Sequence, residues 1–451
     1  MKIQYDKNLK LAGIGIAPWP RGGPKRWFDN YKIASYYDWD IEVESAPEVI
    51  SLSSHWPQPL ADLSTEALVD NHDFRKLVAS RLAGYSLFPY KFFNFKQYPD
   101  LAQPGVNLIM PKGGKGSLEN KAVFRQKFGN LLPIPPFKIV DLTSLGSVGE
   151  LLDNRDAMVL QHESMSGGRG TFIVRGEEDY QQALAALRAA GGGKTIIVSD
   201  YIENAAERSL QGLATRRGVF VGPLQTPLVN SKELLNPDNL NQDKFCGAEI
   251  SPADRFTGIY DQLRGYCALI GEELIRLGYR GVFGVDFLVD KTGRAYAIEV
   301  NQRITGVTPL LSMLFREGQD IPFELLHLLE IGNFDYDITD SDINHMPPSG
   351  AMLVLHSKSR QPAIINDSPR SGIYSADKVA FVEPAYKLNT AGGAGEILLQ
   401  RYSPVGSKIE AGANLAVVYT KTRILDEQDQ INSGTSGLIT ALNSKISLQK
   451  G

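Results

Sequence analysis

The chain has 451 residues, 43% of them hydrophobic, enough to bury several cores, and about three domains is the natural expectation. Lys and Arg (47) nearly balance Asp and Glu (51), so no basic excess points to nucleic acid or to an anionic membrane. Two cysteines, Cys246 and Cys267, stand in unrelated contexts and six histidines are scattered, which argues against a disulfide framework and against a zinc site. The N-terminus MKIQYDKNLK lacks the apolar core of a signal peptide, and no run approaches a membrane span. A cytoplasmic protein without membrane or nucleic-acid partners is the resulting expectation.

Residues 1 to about 118 contain short apolar segments, LAGIGIAP, IEVESAP, VISLSS and GVNLIMP, that read as parallel strands. Asn71 to Gly84 reads as a helix with Phe74, Leu77, Val78 and Leu82 on one face. The alternation suggests an α/β unit, but no G-x-G-x-x-G follows a strand, so no dinucleotide site is expected.

From Ser117 a helix is expected, closed by Pro133, Pro135 and Pro136. Lys121 within it reads, taken alone, as a solvated helix residue. A strand from Ala157 to His162 then leads into Ser164-Met165-Ser166-Gly167-Gly168-Arg169-Gly170-Thr171 and a second strand from Phe172 to Val174. Such a glycine-rich turn can bring several backbone N–H groups close to phosphate oxygens, because no Cβ stands in the way. A helix from Glu177 to Ala190 and a strand from Thr195 to Ile202 follow.

SLQGLAT and VFVGPLQTPLV form an expected hairpin turning at Arg216-Arg217-Gly218, and Ser231 to Pro252 reads as polar and irregular. Leu263, Cys267, Ile270, Leu274 and Leu277 stripe one helix face, where Cys267 is a core residue and no nucleophile.

Residues 279 to 308, YRGVFGVDFLVDKTGRAYAIEVNQRITGVT, carry the most chemistry. Alternation in Val285 to Val289 and in Tyr296 to Val300 reads as two strands, joined by a turn at Asp290-Lys291-Thr292-Gly293. The acids Asp286 and Glu299 stand thirteen positions apart, with Asn301 and Arg303 just beyond. A hairpin sets Asp286, Glu299 and Asn301 on one face, since 299 and 301 share a parity. Three oxygen-bearing side chains on a rigid face suit Mg²⁺ together with nucleotide phosphates. Asp335 to Pro348 reads as an acidic linker, and AMLVLHS, SGIYS, KVAFVEP, GEILLQRY and LAVVYTK as short strands beyond it.

The hairpin, the glycine-rich turn and Lys121 together resemble the ATP-grasp superfamily. The resemblance implies an ATP-grasp fold of α/β (α+β) class, with an N-terminal α/β pre-ATP-grasp domain at 1–118 and the grasp domain at 119–334. Within the latter the small lobe spans about 137–200 and the large lobe about 201–334. A small β-rich domain at 349–451 resembles that of biotin-carboxylase-like members, although no Met-Lys-Met biotinylation segment occurs.

By the same resemblance, Asp286, Glu299 and Asn301 hold Mg²⁺, for which Mn²⁺ can substitute, and Arg303 is catalytic. ATP is bound by Lys121, Gln161, Ser166, Gly167, Gly168, Arg169, Gly170, Thr171, Asp200, Tyr201, Ile202 and Glu207, and Thr305 and Gly306 border the substrate. Gln161 departs from the family, which usually carries a lysine there, and Arg169 is a candidate to restore the cation. The implied activity joins a small-molecule carboxylate, as an acyl phosphate, to an amine such as an amino acid or peptide, releasing ADP and phosphate. A homodimer is compatible with it. The alternatives are a bicarbonate-activating, biotin-carboxylase-like enzyme and a nucleotide-binding regulatory protein without turnover.

Overall fold

The computed structural model describes residues 2–56, 64–93, 105–111, 117–165, 170–190, 195–239, 244–250, 257–317, 319–338, 349–388 and 395–450. Near the N-terminus five parallel strands form one sheet in the order Glu48–Ser51, Lys32–Ser35, Leu11–Gly15, Ser86–Phe88, Asn107–Leu108. Helices Thr65–Asp70 and His72–Arg81, capped by Ser64 and Asn71, lay Leu68, Phe74 and Val78 against Ile14, Ala34 and Leu87. The expected strand in IEVESAP is absent, since residues 41–47 are turn and coil.

Four antiparallel strands make a second sheet, ordered Phe137–Asp141, Thr195–Asp200, Met158–His162, Thr171–Val174. Helix Glu177–Ala190 backs it, and Tyr180, Ala183, Leu184 and Leu187 meet Met158, Leu160, Val174 and Ile196 there.

Ten antiparallel strands form the largest sheet. It runs Ala295–Asn301, Gly281–Val289, Ala206–Thr215, Gly218–Val229, Phe245–Ile250, and continues through Gly350–His356, Asn414–Thr420, Glu396–Arg401, Gly372–Ser375 and Ala380–Glu383. The strand Phe245–Ile250 corrects the reading of 231–252 as irregular throughout. It is paired on both sides, and its pairing with Gly350–His356 carries the sheet without a break into the C-terminal segment.

The 335–348 stretch is also more than a linker. Tyr336–Ile338 pairs with Ile3–Tyr5 at the other end of the chain, whereas 339–348 lie outside the described residues. Helix Thr257–Arg276 packs under the large sheet through Leu263, Cys267, Ile270 and Leu274, all fully buried. Leu277, expected on that stripe, lies past the helix end and is 47% exposed. No described helix is long and apolar enough to cross a membrane.

Candidate active site

The hairpin Gly281–Val289 and Ala295–Asn301 closes at a turn where Gly293 has φ +81°, a conformation glycine takes without strain. Its register sets Asp286 directly opposite Glu299. A bulge immediately after Asp286 shifts the ladder there. Asn301 Nδ2 donates to Asp286 Oδ2 at 3.2 Å, and Arg303 donates to Asn301 Oδ1 at 2.6 Å. From the neighbouring strand Ser209, also opposite Asp286, donates its hydroxyl to Asp286 Oδ1. Burial, and next the negative charge of Glu299, push the Asp286 carboxyl well above the ordinary aspartate range, against the Ser209 hydrogen bond and the charges of Arg303 and Lys121.

Lys121 opens a helix at Lys121–Phe128; Asn120 caps it, so the helix starts four residues after the expected Ser117. The side chain is 4% exposed, far from a solvated lysine, and its Nζ lies 3.0 Å from Glu299 Oε2 and 2.8 Å from the Met165 carbonyl. Arg303 makes a further ion pair with Glu119 at 3.2 Å.

Gln161 lies on Met158–His162 and is 8% exposed; its Nε2 donates to Thr171 Oγ1 at 3.0 Å. Gly170 closes the glycine-rich turn where a Cβ would come within 2.7 Å of Met165 Cβ and 2.9 Å of His162 Cβ, so the close approach requires glycine. Ser166, Gly167, Gly168 and Arg169 lie outside the described residues.

Asp200 ends its strand with its carboxylate taken by Arg155, and Tyr201 lies 5.4 Å beneath the Arg175 guanidinium. Glu207 is exposed at the rim. Thr305 accepts a hydrogen bond from Gln211 Nε2 and rests against Gly284, where a Cβ would come within 2.7 Å of the threonine methyl group.

All the described candidates except Gly170 line one cleft of about 610 Å³ between the four-stranded sheet and the large sheet, so residues spread from 121 to 306 in sequence converge. Sequence reasoning missed Ser209, Arg125 and Glu119. Ser209 reaches Asp286 only through strand pairing across 77 residues, and no local spacing announces it. Arg125 is a helix residue without a motif; its NH2 donates to Gln161 Oε1 at 2.8 Å.

Among the described residues no group of three or more His, Cys, Asp or Glu side chains is placed to hold a metal. Two opposed carboxylates and an amide oxygen are what the hairpin offers a cation. The donor set fits a hard divalent ion, because two like charges held side by side are relieved by a positive charge between them.

Residues 118–307 match the family model described as ATP-grasp domain. The 2-oxoglutarate carboxylase small subunit of Hydrogenobacter thermophilus is 26% identical over 170 residues, covering 36% of this chain and 33% of that protein. A [butirosin acyl-carrier protein]--L-glutamate ligase of Niallia circulans is 20% identical over 185 residues, 40% of this chain and 42% of that one. The chain thus spans about a third to two fifths of the length of these curated relatives. Among solved structures, a biotin carboxylase from Campylobacter jejuni, in a complex described as β-γ-ATP, matches 98% of this chain and 93% of its own at a TM-score of 0.64, with 15% identity. The mixed α/β architecture is that of the ATP-grasp fold, and the segment that matches the ATP-grasp domain model spans the hairpin acids, Lys121 and the glycine-rich turn.

Proposed function

We propose that this protein is an ATP-dependent ligase that activates a carboxylate as an acyl phosphate and passes the acyl group to an amine, releasing ADP and phosphate. The observation that carries the reading is the face-to-face pair Asp286 and Glu299, with Lys121 on one side and Arg303 on the other. Asp286, Glu299 and Asn301 would hold Mg²⁺ or Mn²⁺, which would neutralise charge on the bound phosphates. Arg303 would let go of Asn301 Oδ1 as that oxygen turns to the metal, and its guanidinium would then stabilise charge developing on the transferring phosphoryl group.

Lys121, held by Glu299 and the Met165 carbonyl, is within reach of a phosphate oxygen entering between the two sheets. The backbone of Asp200, Tyr201 and Ile202 would read the adenine edge, Glu207 would accept a ribose hydroxyl, and the turn from Ser166 to Thr171 would supply N–H groups to the phosphates. Thr305 and Gly306 border the part of the cleft left for the acceptor. In this reading residues 119–334 perform the chemistry and residues 1–118 and 349–451 frame it. Both cysteines are fully buried, and burial pushes the Cys246 thiol up to about 11, so neither suits a covalent route.

The fold likeness to a biotin carboxylase along nearly the whole chain favours a second reading, in which bicarbonate is the carboxylate and a separate biotin carrier the acceptor. One experiment separates the cases: ADP, phosphate and pyrophosphate are assayed with the purified protein, Mg-ATP, and a panel of acids and amines or bicarbonate alone. ADP and phosphate that require an organic acid are expected. ADP release with bicarbonate alone selects the second reading, and stoichiometric pyrophosphate overturns both.

A further inference from the structure

Arg125 is a buried cation with few partners. It sits in the last turn of helix Lys121–Phe128 and is 2% exposed. Its NH1 donates to the Lys121 carbonyl at 3.3 Å, its NH2 to Gln161 Oε1 at 2.8 Å, and its Nε has no partner. Among the described residues no carboxylate pairs with it directly. Glu299 is the anion whose field it feels, and burial pulls the guanidinium down to about 10, which leaves it charged at neutral pH. Taking a guanidinium out of water without an ion partner is costly, and such groups concentrate where the charge is used.

The guanidinium holds Gln161 from its oxygen side, and both residues line the cleft. Arg125 fixes the orientation of the Gln161 amide by holding its oxygen, so Nε2 is turned the other way, toward Thr171. A carboxamide nitrogen carries two hydrogens, and the bond to Thr171 Oγ1 uses one. The second is polarised by the cation behind it, because hydrogen bonds in series strengthen one another in a poorly solvated site. Lys121, one helical turn before Arg125, lines the same cleft. The arrangement is a neutral donor at the wall of the cleft, held by an almost fully buried positive charge at the same wall.

We propose that Gln161 donates to a phosphate oxygen of a nucleoside di- or triphosphate in this cleft, and that Arg125 is the positioning residue that orients this amide and supplies its charge. The proposal rests on the nucleotide reading given above. Its prediction is that binding of the phosphates, but not of the nucleoside, depends on Arg125.

The test is calorimetric titration of the full chain with Mg-ADP and, separately, with adenosine. Arg125→Met is expected to weaken Mg-ADP binding roughly ten- to hundredfold, the loss of one charge-assisted hydrogen bond, while adenosine affinity stays within about twofold. Adding Gln161→Lys to Arg125→Met should restore Mg-ADP binding, since an amine at 161 delivers the charge directly. Should Arg125→Met fail to fold, Gln161→Leu, which leaves the arginine bond to the Lys121 carbonyl in place, carries the same expectation. Unchanged Mg-ADP affinity overturns the proposal, as does a parallel loss of ADP and adenosine, which would mark Arg125 as a purely structural residue. A wild-type protein that binds no Mg-ADP would instead take down the nucleotide reading itself.

Discussion

Lys121 and Glu299 compensate each other where the hairpin concentrates negative charge. Asp286 and Glu299 sit opposite each other, and Lys121 Nζ, 3.0 Å from Glu299 Oε2, relieves the repulsion together with Arg303. Replacing Glu299 by Gln keeps the side-chain volume, removes one of the two negative charges a metal would see and leaves Lys121 without its ion partner. ADP formation should therefore fall by roughly 10²-fold or more. The same change removes the negative neighbour that helps raise the Asp286 carboxyl, so Asp286 should titrate at lower pH in the variant. Phosphate release and a thermal melt on the same preparation check this. Turnover at the wild-type rate with an unaltered melt would remove Glu299 from the site.

Among the elements, the hairpin was legible because everything that defines it is local. Alternating strands, a four-residue turn and Gly293 at φ +81° fix the register within about twenty residues of chain, and that register sets the two acids opposite each other. The helix Lys121–Phe128 was legible as a helix, but its first residue was decided by the Asn120 side chain, which accepts from the N–H groups of Ala122 and Val123. Lys121 read as solvated because helical spacing cannot show that a hairpin 178 residues further on covers it. Phe245–Ile250 was hidden for a different reason. It follows a polar stretch and carries a glycine at its centre, yet sheet neighbours on both sides bury it.

That glycine, Gly247, has φ +146°, and a Cβ there would come within 2.1 Å of the Met352 carbonyl oxygen. The clash is with the backbone of the adjoining strand, which cannot rotate away. Gly247→Ala is expected to cost roughly 2–4 kcal/mol, combining backbone strain with overpacking. Because this joint links the part of the sheet carrying Asp286 to the C-terminal strands, unfolding in denaturant should separate into two transitions. A single transition with an unchanged midpoint would show that the joint tolerates a side chain.

Across the whole molecule, the N-terminal segment meets helix Phe323–Ile331 through polar contacts as well as apolar ones. Glu324 is the residue that makes them. Fully buried, it accepts a hydrogen bond from Ser312 at 2.6 Å and lies near Tyr90, and its Oε2 fills the space that a side chain at Gly23 would need. Arg21 is the nearby cation and Tyr90 the nearby phenol, and neither outweighs desolvation, which pushes the Glu324 carboxyl up to about 8. In the unfolded chain the same group titrates at about 4.3. Since its folded value is the higher one, the folded state holds a proton that the unfolded state has released. Glu324 thus contributes most below about pH 4.3, and that contribution is lost progressively as pH rises toward about 8. Wild-type Tm should accordingly fall between these limits by more than that of Glu324→Gln, whose neutral amide has no proton to lose. Thermal melts of both proteins at intervals from pH 5 to 9 read the difference in slope, whatever offset the substitution adds at any one pH. Parallel curves would mean that the carboxyl is ionised in the folded protein and that Arg21 outweighs burial at this junction.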